Sequence, residues 1–332
     1  MLKILSDESA IRRCQRSFIR ALKPCVTDRI DVRIGHPGES VPAKVFWAEN
    51  PGIWFHSKAI AGGRYWNAFG IGKPPDGGAV SSTIEVNIST LSLDRKIGGA
   101  FARDDAGKVF LVHRGKIGGR RGVGKSLFDA QYRGVWAEVE DGDARSAVVI
   151  IGELQSPLFA RQLAQFVRKI EAIKGLGGHD DQQATIFFHD DRFCEEFIGG
   201  RYVAEGRDYS SECSRDLAVL DLARRMRDLG MRVKNNPGGD LFTSDPLGRE
   251  AAVFEVIAGV GAPLLEQGVA RLLIRSLNLP QAPRRFLVMP AKPEGGWEAL
   301  LLKLGIQVIP YSWEKGAAVF DGLAEQLAEK NG

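Results

Sequence analysis

Two acidic residues, Asp240 and Glu255, lie in the part of the sequence with the clearest chemical pattern. Asp240 opens the short apolar stretch 240–243, and Glu255 lies inside the apolar run 251–257. Both stretches have the length and composition of β-strands. Because residues two apart in a strand share a face, Glu255 and Ile257 are expected to point to the same side of the sheet. Carboxylate oxygens on neighbouring strands are suitable ligands for a hard divalent cation.

The helix after the second strand carries Gln267, Arg271 and Ile274. Two acidic strands followed by a glutamine-bearing helix resemble the active-site core of the PD-(D/E)XK nuclease superfamily, which includes restriction enzymes and recombination nucleases. The resemblance implies a nuclease-like fold with Mg²⁺ or Mn²⁺ bound by Asp240 and Glu255. In such a site the cation neutralises charge that develops on the phosphodiester and helps to ionise a water molecule.

The resemblance implies further roles, and the chain departs from the family at one position. Glu212 or Asp216 on the preceding helix is the candidate third metal ligand, and Gln267 approaches the substrate. The family has a lysine where this chain has Ile257, and that lysine positions the attacking water. Loss of one such donor costs on the order of 10²–10³ in rate. The candidate replacements are Lys234, Arg249 and Arg271.

The composition is that of an ordinary globular chain. The 332 residues are 44% hydrophobic and 26% charged, with a formal charge of +4, so a polyanionic partner is allowed but not demanded. The four cysteines include no C-x-x-C pair, which indicates neither a zinc site nor a disulfide framework. No apolar run approaches the ~20 residues of a membrane span, and no signal-peptide pattern opens the chain. We therefore expect a cytoplasmic protein without a membrane partner.

The predicted fold class is α/β in two domains. Residues 1–175 form a mixed α/β, β-rich domain that begins with a basic amphipathic helix over 8–23. Residues 176–211 form a connection, and residues 212–332 form a nuclease-like domain with a central mixed sheet. The order of elements in that last part is predicted to be α-β-β-β-α-β-α-β, with its first helix over 216–229.

A basic, glycine-rich segment is the strongest nucleic-acid signal in the N-terminal half. Gly119–Ser126 fits the phosphate-loop spacing G-x-x-x-x-G-K-[ST], and the run 148–153 is Walker-B-like. Three interpretations are open: a nucleotide-hydrolysing loop, a loop that contacts nucleic-acid phosphates, and a solvated loop. The candidate phosphate-binding residues of this segment are Arg114, Lys116, Arg120, Arg121 and Lys125.

A group of large aromatic residues falls within residues 47–69. Aromatic side chains dominate hydrophobic cores, which is the first interpretation. They also stack on extruded or single-stranded bases, which is the second, with Trp54 and Trp66 as the candidate base-binding residues.

The function predicted from the sequence is that of a restriction- or defence-type DNA-binding protein with a metal-dependent endonuclease domain, which is either active or a degenerate version that has lost catalysis. RNA is an alternative partner, and a homodimer is compatible with the pattern. A catalytically inert nucleic-acid-binding adaptor or sensor is the second hypothesis, and a nucleotide switch through Gly119–Ser126 is the third. The predicted catalytic residues are Asp240, Glu255, Gln267 and Lys234, the predicted metal ligands are Asp240, Glu255 and Glu212, and Arg271 is a further nucleic-acid contact.

Overall fold

A computed structural model of the chain describes residues 1–36, 39–90, 96–115, 117–118, 122–176, 193–199, 201–202, 208–236, 241–245, 247–277, 279 and 281–328. The chain forms two compact units. The first comprises Met1–Phe187 and Arg201–Cys213, and the second comprises Phe188–Gly200 and Ser214–Gly332. Helices and strands are interspersed and the sheets have mixed strand directions, so the predicted α/β class is confirmed. No helix within the described ranges is long and apolar enough to cross a membrane.

The first unit is rich in β-strands, as expected from its frequent turn residues. In chain order its elements are β1 (Leu2–Ile4), α1 (Glu8–Leu22), β2 (Asp28–His36), β3 (Glu39–Ala48), β4 (Ile53–Ile60), β5 (Arg64–Ile71), β6 (Ala79–Val80), β7 (Ile84–Glu85), β8 (Ile88–Ser89), β9 (Gly99–Arg103), β10 (Val109–His113), α2 (Lys125–Gln131), β11 (Val135–Asp141), β12 (Ala144–Glu153), α3 (Phe159–Leu176) and β13 (Arg201–Tyr202).

The strands of the first unit form two sheets. One has the order β6-β2-β3-β4-β5-β7, and β8 pairs with β5. In the other, β1 pairs antiparallel with β9 and parallel with β11. β9 pairs with β10, β10 with β12 and β12 with β11. Together with β1, these strands therefore close into a five-stranded ring. β13 adds to β11 in parallel.

Helices α1 and α3 share one apolar core with both sheets. Phe18 of α1 contacts Phe69, Phe101 and Phe159, whose ring centroids lie 5.8–6.3 Å away. The predicted helix over 8–23 is confirmed as α1, and the Asp7 side chain caps it by accepting a 2.7 Å hydrogen bond from the backbone N–H of Ala10. The opposite face of the ring strands forms a separate apolar cluster.

The next helix, α4 (Tyr209–Asp228), begins seven residues before the predicted start at 216. Its cap is Asp208, whose carboxylate accepts hydrogen bonds from the Ser210 backbone N–H at 3.2 Å and the Ser211 hydroxyl at 2.7 Å. Tyr209 and Cys213 are buried in the first unit, and the helix passes into the second unit at Ser214. The polar run before residue 212 is thus partly helical.

The second unit contains the rest of α4 and the order of elements predicted for it. After α4 these are β14 (Arg232–Asn235), β15 (Leu241–Ser244), β16 (Glu250–Val256), α5 (Ala262–Leu277), β17 (Arg284–Met289), α6 (Trp297–Lys303), β18 (Ile306–Glu314), β19 (Ala317–Phe320) and α7 (Leu323–Ala328). The sequence did not predict the last two. Most of the predicted connection over 176–211 lies outside the described residues.

One six-stranded sheet, in the order β14 to β19, is the frame of the second unit. β16, β17 and β18 are parallel, and the remaining neighbours are antiparallel. Residues of α4 pack on one face in a cluster with Phe254 and Phe286, and residues of α5 pack on the other in a cluster with Val253 and Leu287. Alternation along β16 therefore decides which helix each of its side chains meets.

Candidate functional site

Glu255 is the penultimate residue of β16 and is 1% exposed. Val253 and Ile257, two residues to either side, belong to the apolar cluster on the α5 face. Phe254 and Val256 belong to the cluster on the α4 face. The expectation that Glu255 and Ile257 share a face is therefore confirmed, and that face is the one covered by α5.

Three arginines hold the Glu255 carboxylate. Arg215 of α4 donates from Nη2 to Oε1 at 3.2 Å, and Arg271 of α5 donates from Nη1 to the same oxygen at 3.2 Å. Arg275, one turn further along α5, donates to Oε2. Arg215 also donates from Nε to the backbone carbonyl of Val256. We call Glu255, Arg215, Arg271 and Arg275 the Glu255 cluster.

The electrostatics of this cluster keep Glu255 ionised. Burial alone would raise the pKa of the Glu255 carboxyl, but the charges of Arg215, Arg275 and Arg271 outweigh burial and hold the pKa below its ordinary value of 4.5. Asp216 lies 3.7 Å from Arg215. Summed over these five described groups, three positive charges face two negative ones and the charge is +1.

Ile257 occupies the position where the resemblance implies a lysine. It is buried in an apolar cluster with Leu265, Val269 and Leu287. Its backbone N–H donates to the Val288 carbonyl at 2.9 Å, which continues the pairing of β16 with β17. The side chain is thus part of the packing between α5 and the sheet.

The other residues predicted to be catalytic are dispersed. Lys234 of β14 donates to the Gly248 carbonyl at 3.0 Å and lies 3.6 Å from Glu250, so it joins β14 to the turn before β16. Arg249 pairs with Asp245 within the same turn. Gln267 is exposed on α5, one turn before Arg271. Of the proposed lysine replacements, the structure therefore brings only Arg271 to Glu255.

The predicted metal ligands are not brought together in the described residues. Asp240 lies outside those residues. Glu212 is buried on the segment of α4 that belongs to the first unit. Across the described part of the chain, no group of three or more His, Cys, Asp or Glu side chains is arranged to hold a metal ion. Both oxygens of Glu255 are occupied by guanidinium groups.

The basic segment of the first unit is only partly described, since Lys116, Gly119, Arg120 and Arg121 lie outside the described residues. Arg114 forms a buried bidentate pair with Asp141, with N–O distances of 3.0 and 3.1 Å. Lys125 is exposed and donates to the Arg114 carbonyl at 3.3 Å. Arg114 thus has a structural partner inside the unit, whereas Lys125 remains accessible.

The strands around the phosphate-loop spacing are antiparallel. β10, which precedes the loop, pairs antiparallel with β12, which contains the Walker-B-like run. Phosphate loops that open a helix are typical of parallel α/β sheets, and α2 is only seven residues long. These features favour the two other interpretations of the loop.

The aromatic residues of 47–69 lie mainly in cores. Trp54 and Trp66 are 3% and 7% exposed and pack with Trp47 in one apolar cluster. Phe55 and Phe69 are buried on the opposite side of the sheet. Burial of both tryptophans favours the core interpretation over a base-binding role for Trp54 and Trp66.

Sequence reasoning missed Arg215 and Arg275. Arg275 follows Arg271 by four residues, a spacing that places both on one helix face, and this signal was present in the sequence. Arg215 lies 40 residues before Glu255, and no local pattern connects the two.

No protein-family model matches the chain, and no curated protein or solved structure is significantly similar to it. The class of site is therefore defined by its geometry: a buried carboxylate held between two helices by three arginines.

Proposed function

We propose that the chain is a nucleic-acid-binding protein whose second unit is nuclease-like in its order of elements and has an arginine site in place of a catalytic metal site. The observation that carries this proposal is the contact of Glu255 with three arginines. The proposal corresponds to the inert adaptor or sensor among the functions predicted from the sequence. DNA remains the first candidate partner, as for a restriction- or defence-type protein.

The energetics of the cluster support a site without a metal. A cation at Glu255 would have to displace guanidinium groups that already satisfy both carboxylate oxygens. Removing one partner from a buried ion pair typically costs about 3–5 kcal/mol, because the remaining charge stays buried. At the position where the resemblance implies a lysine, Ile257 is packed in an apolar cluster. The arrangement therefore favours a stable ion-pair network over an exchangeable metal site.

The same charges favour an anionic partner. Arg271 is 36% exposed while contacting Glu255, and the cluster with Asp216 has a net positive charge. Arginine binds phosphate through its planar set of donors, which makes it well suited to nucleic-acid backbones. We propose that Arg271 contacts a phosphate with the donors that Glu255 leaves available.

A metal-dependent endonuclease is the second candidate function. It is favoured by the order α4, β14, β15, β16, α5, β17, which is the order of elements that the resemblance implies. In this candidate Mg²⁺ or Mn²⁺ would bind Glu255 together with Asp240. The two candidates differ in one measurable respect, which is phosphodiester cleavage.

Binding and cleavage are measured on the same purified protein. We expect labelled DNA to bind in EDTA, with an affinity that falls as salt rises, and to stay intact with Mg²⁺ or Mn²⁺. Arg271→Ala should weaken binding. It should also lower the magnitude of the slope of log K against log salt concentration by about 1, as expected for the loss of one phosphate contact. Arg224→Ala removes an exposed arginine of α4 and is the matched control.

Cleavage that is lost in Glu255→Ala would overturn the proposal in favour of the nuclease. Absence of binding to DNA and RNA of any form would overturn its binding half. Binding of RNA in preference to DNA would keep the proposal of a nucleic-acid-binding protein and replace DNA by RNA as its partner.

A further inference from the structure

A pocket in the first unit combines an aromatic wall with two cations that have no ion-pair partner among the residues that the structure describes. It is a cavity of about 380 Å³ between the end of α1 and strands β2–β4. Ile19, Val26, Phe46 and Phe55 supply its apolar surface, and Lys23 and Arg29 supply positive charge. Its size is within the ~300–1,000 Å³ range of small-molecule sites.

The aromatic wall exposes part of one ring to the cavity. Phe55 is buried, whereas Phe46 is half-buried. Their rings are stacked, with centroids 5.3 Å apart and an interplanar angle of 28°. Phe55 therefore supports Phe46 from inside the core while part of the Phe46 ring borders the cavity. A supported, partly accessible aromatic ring is the feature that stacks on a nucleobase.

The charges around this ring are positive. The guanidinium of exposed Arg29 lies over the Phe46 ring, with its carbon 5.6 Å from the ring centroid and on the strand opposite the one that carries Phe55, so a base that stacks on this ring takes the place that the guanidinium holds. Lys23 is exposed as well, and neither residue has an ion-pair partner among the described residues. The one acidic residue of the lining, Asp28, is already paired with Lys73 at 2.8 Å. The pocket therefore favours a ligand that is both flat and anionic.

A row of cations extends along α1 to Lys23, the residue that follows the helix and lines the pocket. Its members are three, four and three residues apart, which places them on one face. That face is opposite the one buried through Ile11, Phe18 and Leu22. The members are Arg13, Arg16, Arg20 and Lys23.

We call these four residues the α1 row. All are exposed, and none has an ion pair in the described part of the chain. The neighbouring Arg12, by contrast, is paired with Glu8 at 2.6 Å. The row covers about 15 Å at 1.5 Å per residue, a length over which a strand with the stacked spacing of B-DNA, about 3.4 Å per phosphate, presents about four phosphates. Lys23 belongs both to the row and to the pocket.

We propose that this surface binds one unpaired strand of nucleic acid, with a base stacked on Phe46 and the adjoining phosphates along the α1 row. The inference rests on the proposed nucleic-acid binding and locates a site for it in the first unit, separate from the Glu255 cluster. An unpaired base is required because the ring borders a cavity, which a base inside a duplex cannot enter without extrusion.

The experiment compares a single-stranded oligonucleotide with an abasic strand of the same length, by fluorescence anisotropy. Phe46→Leu keeps an apolar contact with Phe55 and removes the ring. It should weaken binding of the normal strand by about 5- to 150-fold and leave binding of the abasic strand unchanged. Arg20→Ala should weaken binding of both strands and lower the salt slope by about 0.7. Arg12→Ala, on the same helix and already paired, is the matched control.

Each outcome distinguishes this inference from the proposed function. If wild-type protein binds strands but Phe46→Leu and Arg20→Ala bind like Arg12→Ala, the site is overturned while nucleic-acid binding stands. Equal wild-type affinity for normal and abasic strands overturns the base-binding half in the same way. If the wild-type protein binds no nucleic acid, both proposals fail. Arg29→Ala, an exposed change, gives a second test of the pocket if Phe46→Leu lowers the folded fraction.

Discussion

Gly268 of α5 and Ile257 beyond the end of β16 approach so closely that a Cβ on Gly268 would lie 2.9 Å from Cγ2 of Ile257. The same Cβ would lie 3.0 Å from Cδ1 of Leu287. We expect Gly268→Ala to lower the free energy of unfolding by about 1–2 kcal/mol, because overpacking outweighs the gain in helix propensity. Urea unfolding measures the change. Gly175→Ala in α3, where nothing lies within 4 Å, should show no loss.

Substitution of Ile257 by lysine tests the position at which the resemblance to the nuclease superfamily implies a lysine. The site is apolar and closed, so a lysine there has to bury its charge or displace α5. We expect Ile257→Lys to lower the free energy of unfolding by about 2 kcal/mol or more and to produce no DNA cleavage with Mn²⁺. Ile274→Lys, at a position of α5 that is 61% exposed, should change stability little. Gain of cleavage would show that a competent metal site had been retained.

The Glu255 cluster should contribute strongly to stability. Glu255→Gln keeps the shape of the side chain but leaves three arginines without their carboxylate, so we expect a loss of about 3–5 kcal/mol at pH 7. Carboxylates strained for catalysis behave in the opposite way, and their removal commonly stabilises a protein. A stability equal to or above that of the wild type would therefore contradict the structural role.

The loss in Glu255→Gln should depend on pH. The pKa of Glu255 is lower in the folded state than its ordinary value of 4.5, so its contribution is fully present above about that pH. It is lost as pH falls toward the folded-state pKa, where the carboxylate becomes protonated. The difference between wild type and Glu255→Gln should therefore be constant from pH 8 to about 5.5 and become smaller in more acidic buffer. Chemical unfolding at a series of pH values measures it.

Substitution of Arg114 distinguishes a structural role from a nucleic-acid-binding role for this residue of the basic segment. Because it pairs in bidentate fashion with fully buried Asp141, Arg114→Ala should lower the free energy of unfolding of the first unit by about 3–5 kcal/mol. Exposed Lys125→Ala should cost less than about 1 kcal/mol. Thermal unfolding and DNA binding are measured on both variants. If Arg114→Ala unfolds like the wild type but binds DNA more weakly, its phosphate-contact role is favoured instead.

His113 should make the first unit sensitive to mild acid. Complete burial, together with the charges of Arg114 and Lys125, lowers the pKa of His113 to about 3. The unfolded chain takes up this proton near the ordinary value of 6.5, so stability falls as pH drops from 6.5 toward 3. Between pH 6.5 and 5 the loss is about 2 kcal/mol. His113→Asn, whose oxygen can accept the 3.0 Å hydrogen bond from the Gly115 N–H, should flatten this slope.

Local patterns predicted the elements of the second unit well, because period-two and period-3.6 alternation depends on near neighbours. The shared face of Glu255 and Ile257 followed from strand geometry alone. The partners of Glu255 did not, since Arg215 reaches it from 40 residues away through the packing of α4. The composition around Glu255 is equally compatible with a metal and with arginines, and only tertiary structure distinguishes the two.

The first unit shows the same division between local and tertiary information. The strands containing Trp54 and Trp66 were predictable, but which face of the sheet is covered was not. Phe46, half-buried beside the cavity, is chemically no different in sequence from buried Phe55. The start of α4 had a local signal in Asp208 and the two serines after it, but the polar run that contains them is typical of a loop.

The division of α4 between the two units has a practical consequence. Of the described residues, 193–199 belong to the second unit, 201–202 and 208–213 to the first, and α4 from Ser214 onward to the second again. No single cut in the chain therefore separates the units. Wherever the chain is divided between residues 175 and 213, at least one of the two fragments lacks part of its unit. To express either unit alone, a gene would need an internal deletion that joins two segments that are not adjacent in the sequence.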